Sequence, residues 1–161
     1  MEFAKIFKKV DRNSCEFLLI PYDSSEINYS DFIKSQRKRG FRQVLFNTEL
    51  MLFLVKATSE NSDIVLTKIK MSEDAEDGIQ EELNHWLLQL RTQPNNIYKI
   101  VSELEWISDK ESIDIMELRF LNKNTSSEIT IKSNGICLGR KIEKVFDSFV
   151  SKCLLRYFYE E

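Results

Sequence analysis

The chain has 161 residues, of which 42% are hydrophobic and 30% charged, and its formal net charge is −3. This length suits one compact domain with its own core, and we expect residues 1–161 to form a single domain. No run reaches the roughly 18 apolar residues of a membrane-spanning helix, and no hydrophobic signal segment opens the chain, so we expect no membrane association. The three cysteines, odd in number and scattered, argue against a disulfide framework. We therefore expect free thiols and a cytoplasmic location, with the nucleus as the alternative reducing compartment.

The first elements of the chain are predicted to be a β-hairpin and a helix. Residues 2–10 have apolar side chains at helical spacing, but a lone short helix is marginal in water. The turn-like residues 11–14 and the apolar residues 15–22 therefore favour a hairpin of 2–10 with 15–22, and a helix followed by a strand is the alternative. Ser30 is a candidate N-cap for a helix over residues 30–39.

Two apolar stretches follow, at residues 41–46 and 50–55. The composition of the second fits a buried strand or a helical turn. Residues 59–63 are rich in turn-forming side chains, so we expect them to close a hairpin onto an alternating strand at 64–71.

Two helices are predicted next. Ser72 is the candidate N-cap of the first, over residues 73–92, and Pro94 suits the first turn of the second. The short connection between them predicts a helical hairpin or a bent pair. Their apolar stripes comprise Ile79, Leu83, Trp86, Leu87 and Leu90 in the first helix and Ile97, Ile100, Val101, Leu104 and Ile107 in the second.

The last unit has the clearest pattern. Strands over residues 112–121 and 127–133 are joined by a turn at 122–126, and Asn134 and Gly135 end the second strand. Because two strands alone are not stable in water, a long amphipathic C-terminal helix should cover their apolar face. The stripe of that helix comprises Leu138, Ile142, Val145, Phe146, Phe149, Val150, Cys153, Leu154, Tyr157 and Phe158.

The end of this helix departs from the stripe, because Leu154, Leu155, Phe158 and Tyr159 surround nearly the whole helix. Such a helix end must pack more deeply in the fold or against another chain. Leu155 and Tyr159 are therefore candidate partner-binding residues.

Together these elements predict an α+β fold with a mainly antiparallel sheet and about four helices, ending in a β-hairpin followed by a long amphipathic C-terminal helix. Strands and helices alternate without the regular βαβ order of a parallel sheet. The order of the strands within the sheet does not follow from the pattern.

Motifs for catalysis and cofactor binding are scarce. The chain has one histidine, His85, and four glycines that form no phosphate-binding loop. No cysteines have zinc-binding spacing, and the acid-rich residues 73–82 lack the ligand spacing of a calcium loop. We predict no catalytic residue, no metal site and no cofactor.

One basic segment is a candidate binding surface. Its cations suit an acidic protein surface or phosphates. The same cations can instead be solvated side chains that stabilise a helix C-terminus, or can face the acidic residues 73–82 of this chain. The candidates are Lys34, Arg37, Lys38, Arg39 and Arg42.

The sequence favours a non-catalytic protein-interaction module, a subunit or adaptor in an intracellular assembly, whose partner is another protein chain of the same or a different kind. Uneven charge supports this interpretation, because residues 57–111 hold 5 basic and 12 acidic side chains whereas residues 1–56 hold 10 and 7. The first alternative is a nucleic-acid-binding protein that uses residues 34–42. The second alternative is an enzyme whose site is assembled from scattered polar residues.

Overall fold

The computed structural model describes residues 2–11, 15–72, 77–110 and 113–159. These residues form a seven-stranded antiparallel sheet and five helices, which confirms the predicted α+β class. The strands are β1 (Glu2–Val10), β2 (Cys15–Pro21), β3 (Phe41–Gln43), β4 (Ile64–Met71), β5 (Ile115–Asn122), β6 (Ser127–Lys132) and β7 (Ile136–Arg140). The helices are α1 (Tyr29–Lys38), α2 (Thr48–Ala57) with a following 3-10 turn (Thr58–Glu60), α3 (Asp77–Gln89), α4 (Asn96–Lys110) and α5 (residues 142–159), in which Phe146–Val150 form a π-helical turn.

The strand order is β2-β1-β7-β6-β5-β4, and β3 also pairs with β1. One edge of β1 pairs with β2, which confirms that these segments are paired strands, although residues 12–14 of the connecting turn lie outside the described residues. The other edge of β1 is shared, because residues 2–5 pair with β7 and residues 7–9 pair with β3. The first strand therefore lies in the interior of the sheet, beside the last one.

The helices occupy both faces of the sheet. α1 packs on one face, where the ring of Phe32 lies 5.7 Å from that of Phe7. α5 covers the opposite face, where the ring centroids of Phe149 and Phe120 lie 5.3 Å apart. The strand register places Phe120 on the same side of the sheet as Ala4, which is the side opposite to Phe7. α2 packs beside α5, and α4 packs on α2 and α3. This division decides which surface side chains can act together.

The hairpin expected between residues 50–55 and 64–71 is wrong. Residues 50–55 belong to α2, and β4 pairs with β5 instead. Asn47 starts the helix, because its side-chain oxygen accepts a hydrogen bond from the backbone N–H of Leu50 at 2.8 Å. The apolar run is continuous because α2 is buried between α5, α4 and the sheet.

The expected cap of α1 also needs correction. Asn28 and not Ser30 caps α1, because its side-chain oxygen accepts from the N–H of Asp31 at 2.9 Å. The Ser72 hydroxyl accepts a hydrogen bond from the backbone N–H of Asp114 at 3.4 Å, and Asp114 directly precedes β5. The predicted cap of α3 involves residues 73–76, which lie outside the described residues, and the described part of α3 begins at Asp77.

An additional strand, β7, separates the C-terminal hairpin from its helix. Leu138, expected as the first member of the helical stripe, lies in β7 and pairs with Thr130. Gly135 permits the tight turn into β7 with a φ of +83°, and Lys141 turns the chain into α5 with a φ of +49°. The helix therefore begins at residue 142, later than its apolar pattern indicated.

Apart from Leu138, the predicted apolar stripes of α3, α4 and α5 are confirmed. The stripe residues of α3 and α4 are buried or half-buried, and the stripe of α5 is buried from Ile142 to Leu154. Phe158 is the exception, since 42% of it is exposed. The last turn of α5 is thus only partly covered by its own chain.

Candidate interaction surface

Three of the predicted cations lie on the solvent side of α1. Phe32 and Gln36 face the sheet and are buried, so Lys34, Arg37 and Lys38 project outward and are exposed. Arg37 and Lys38 also occupy the last turn, where cations stabilise the partial negative charge of the helix end.

Arg39 follows α1 and is partly held by its neighbours. Its guanidinium donates to the side-chain oxygen of Gln36 at 3.2 Å and lies 5.1 Å from the ring centroid of Phe41. Phe41 pairs with Lys9 in the sheet, so Lys9 joins this group on the α1 face.

The fifth predicted cation, Arg42, lies on the opposite face of the sheet. Its register partner is Lys8, and residues that are directly opposite in antiparallel strands project to the same side. The amino group of Lys8 lies 5.1 Å from the ring centroid of Tyr159 and 5.7 Å from that of Phe158. The structure therefore separates Arg42 from the α1 cations and places it near the C-terminal apolar residues.

Those C-terminal residues form an aromatic cluster against β2 and α2. Phe158 stacks on Phe17 with centroids 5.6 Å apart, and Tyr159 lies 6.2 Å from the same ring. Tyr157 meets Phe53 of α2 edge to face at 5.4 Å. Leu155, Phe158 and Tyr159 nevertheless remain 38%, 42% and 48% exposed. The expectation of deeper packing is met in part, and a second surface can still cover these side chains.

The end of β1, the start of β3 and the end of α1 together carry a group of cations, which we call the basic end. The described residues contain four ion pairs, and no cation of the basic end takes part in them. Glu81 and Glu82, the members of the predicted acidic segment whose side chains the structure describes, form no ion pair with these cations either. The basic end comprises Lys8, Lys9, Lys34, Arg37, Lys38, Arg39 and Arg42.

Sequence reasoning missed Lys8 and Lys9. Neither belongs to the segment 34–42, and only the pairing of β1 with β3 brings them beside it. The run Lys8-Lys9 at the end of a predicted strand was the available signal, but the partner strand could not be identified from local pattern.

Lys5 was also missed, and it is the largest fully buried polar side chain among the described residues. Its amino group donates to the backbone carbonyl of Asn134 and lies 5.3 Å from the ring centroid of Tyr29. Burial lowers the pKa of Lys5 from 10.5 to about 8. The side chain ties β1 to the turn before β7 and to the first turn of α1.

The remaining candidates for chemistry have ordinary surroundings. His85 is exposed on α3, with its Nε2 atom 3.0 Å from the side-chain nitrogen of Gln89. Burial raises the pKa of Cys153 to about 11 and raises that of Cys137 further, so both thiols are protonated at neutral pH. Among the residues that the structure describes, no three His, Cys, Asp or Glu side chains are grouped as metal ligands.

The grooves of the described surface include two open ones. One, of about 740 Å³, lies between the turn after α2 and the α3–α4 connection and is lined by Asn61, Arg91 and Tyr98 among others. The other, of about 930 Å³, lies beside the loop between β2 and α1 and includes Leu19 and Ile136. Neither groove contains a cation of the basic end.

Comparisons with known proteins add no relative to this description. No family model, no curated protein and no solved structure matches the chain. No helix within the described ranges has both the length and the apolar character needed to cross a membrane.

Proposed function

We propose that this chain is a non-catalytic protein-interaction module, a subunit or adaptor of an assembly, that docks on an acidic protein surface through the basic end. The observation that carries the proposal is the concentration of cations with no carboxylate partner among the described residues. On a chain of net charge −3, such a local excess of positive charge steers acidic partners towards one end of the molecule.

The neighbouring aromatic cluster favours a protein partner. Protein interfaces are enriched in Tyr, Phe and Arg. Half-exposed Phe158 and Tyr159 lie beside Lys8, whose register partner in β3 is Arg42. The cations are also divided between the two faces of the sheet, so fewer of them can follow a single phosphate backbone. A single-stranded nucleic acid remains the second candidate, because cations beside exposed aromatic rings can bind phosphates and stacked bases.

A charge-reversal experiment distinguishes these partners. The test variant carries Lys34→Glu, Arg37→Glu and Lys38→Glu, three exposed positions on α1. The control carries Lys99→Glu, Lys144→Glu and Lys152→Glu, which makes the same change in net charge at exposed positions outside the basic end. Fluorescence anisotropy then measures binding of a labelled polyglutamate peptide, random-sequence RNA and duplex DNA across a salt series.

The proposal predicts that the wild type binds the acidic peptide, that the affinity falls with salt, and that the test variant loses this binding while the control retains it. Tight RNA or DNA binding at physiological salt that only the test variant loses would favour the nucleic-acid alternative, with the salt slope reduced by about 3. Equal behaviour of the two variants towards every probe would show that the basic end is a solvated helix terminus.

A further inference from the structure

The outer edge of β2 presents free backbone hydrogen-bonding groups. The N–H of Tyr22 bonds to the carbonyl of Phe3 at 3.1 Å, and the register continues as Lys5 with Ile20. Even-numbered residues of β2 therefore exchange hydrogen bonds with β1, and odd-numbered residues direct theirs outward. The opposite edge of β1 follows the same alternation, since Ile6 bonds there to Gly135.

The two edge strands of the sheet differ in whether their outward backbone groups are hydrogen bonded. At the β4 edge, the side-chain amide of Gln80 donates to the carbonyl of Ile69 at 2.7 Å and accepts from the N–H of Met71 at 3.1 Å. Register shifts also interrupt β4. By contrast, β2 is regular from Cys15 to Pro21, and within the described ranges no strand or side chain bonds to its outward groups. Such an edge is a template for another strand.

We infer that two copies of this chain associate by antiparallel pairing of their β2 strands about a two-fold axis at Leu18. In this register Phe17 and Leu19 exchange backbone hydrogen bonds with Leu19 and Phe17 of the second copy. Pro21, which has no N–H to donate, faces Cys15 of the second copy at the margin of the pairing. This inference is independent of the basic end and of its proposed partner.

The charge and apolar surface of β2 favour a second copy as the occupant. Glu16 is the one charged residue of the strand, and the two-fold register places it opposite Ile20, so no like charges meet across the axis. On the opposite side of the strand, Leu19 of the second copy stands beside Phe17, on which Phe158 stacks. The second copy therefore covers part of the aromatic cluster that the first chain leaves exposed.

The first measurement is the oligomeric state of the full chain. Sedimentation equilibrium from nanomolar to high micromolar concentration should show the mass rising to twice that of one chain. A mass that stays at one chain over the whole range would overturn the inference. Leu19→Pro removes an outward N–H without removing a bond to β1, so this variant should remain monomeric if circular dichroism shows that it is folded.

The second measurement tests the register. In a Cys15→Ser background, Leu18→Cys places two thiols across the axis, where Cα atoms are about 4.5 Å apart and a disulfide can form. Ile20→Cys is the matched control, because its two copies are offset by about 13 Å along the strands. Mild oxidation should cross-link the Leu18→Cys protein and leave the control monomeric on a non-reducing gel. A dimer that cross-links equally at both positions, or at neither, would refute the two-fold pairing at Leu18.

Discussion

Replacing Phe149 by alanine tests whether α5 is part of the core. The side chain is 3% exposed, and its ring lies 5.3 Å from that of Phe120, which is fully buried. Phe120 in turn pairs with Ile129, also fully buried, so Phe149→Ala opens a cavity whose wall belongs to the regular ladder of β5 and β6. Side chains fixed in a sheet cannot move far to fill such a space.

The expected cost is therefore that of a large-to-small core substitution with little relaxation, about 3–5 kcal/mol. Loss of the ring pair with Phe120 contributes about 0.5–1.5 kcal/mol of this. For a chain of this size, each kcal/mol lowers Tm by about 2–4 °C, so Tm should fall by about 6–20 °C.

Calorimetry and urea titration measure these quantities, and Leu155→Ala is the control. Leu155 lies on the same helix and is 38% exposed, so its truncation should cost about 1 kcal/mol or less. A decrease of less than about 2 °C for Phe149→Ala, or equal losses in both variants, would refute the conclusion that α5 seals the core.

Three further outcomes are expected. The pKa of Lys5 is about 8 in the native state and 10.5 in the unfolded state, so between these values the unfolded state binds more protons and stability rises with pH. Between pH 8 and 10, the free energy of unfolding of the wild type should therefore rise by about 1–3 kcal/mol relative to Lys5→Met, as measured by urea titration. Parallel profiles for the two proteins would contradict the burial of a charged amine. Thiol titration should find three free groups in denatured protein alkylated at lysis, with half-buried Cys15 reacting first in the native state; a total of one would reveal a disulfide. Gly139→Ala should lower stability by more than about 2 kcal/mol in urea titration, because φ is +151° and the added Cβ would collide with the carbonyl of Glu128, whereas Gly78→Ala, with open space around it, should be tolerated.

The features that could be predicted from the sequence are those that local periodicity determines. The faces of α3, α4 and α5 follow from the helical repeat, because a buried stripe requires apolar residues at that spacing whatever the stripe packs against. The pairing of β1 with β2 follows in the same way from a short turn between two apolar segments. Asn47 was a readable cap for α2, and the ambiguity of its apolar run could have been resolved by it.

The features that were missed depend on contacts between distant segments. Leu138 stands four positions before Ile142 and so fits a helical stripe by coincidence, and only its pairing in the sheet shows that it belongs to a strand. The candidate site had the same difficulty. Arg42 is adjacent in sequence to the α1 cations, but strand alternation sends it to the other face, where Lys8 joins it.

The adjacency of β1 and β7 also bears on how the chain acquires its fold during synthesis. Lys5 and Asn134, which are hydrogen bonded, stand 129 positions apart. Contacts at such separation form late, because the entropy of closing a long loop is lost before they contribute. On the ribosome, β1, β2 and β3 can assemble early, but residues 2–5 of β1 have no partner on one edge until β7 emerges. Until β7 has been synthesised, residues 2–5 of β1 therefore lack one of their two strand partners, and an unpaired strand edge of this kind favours aggregation.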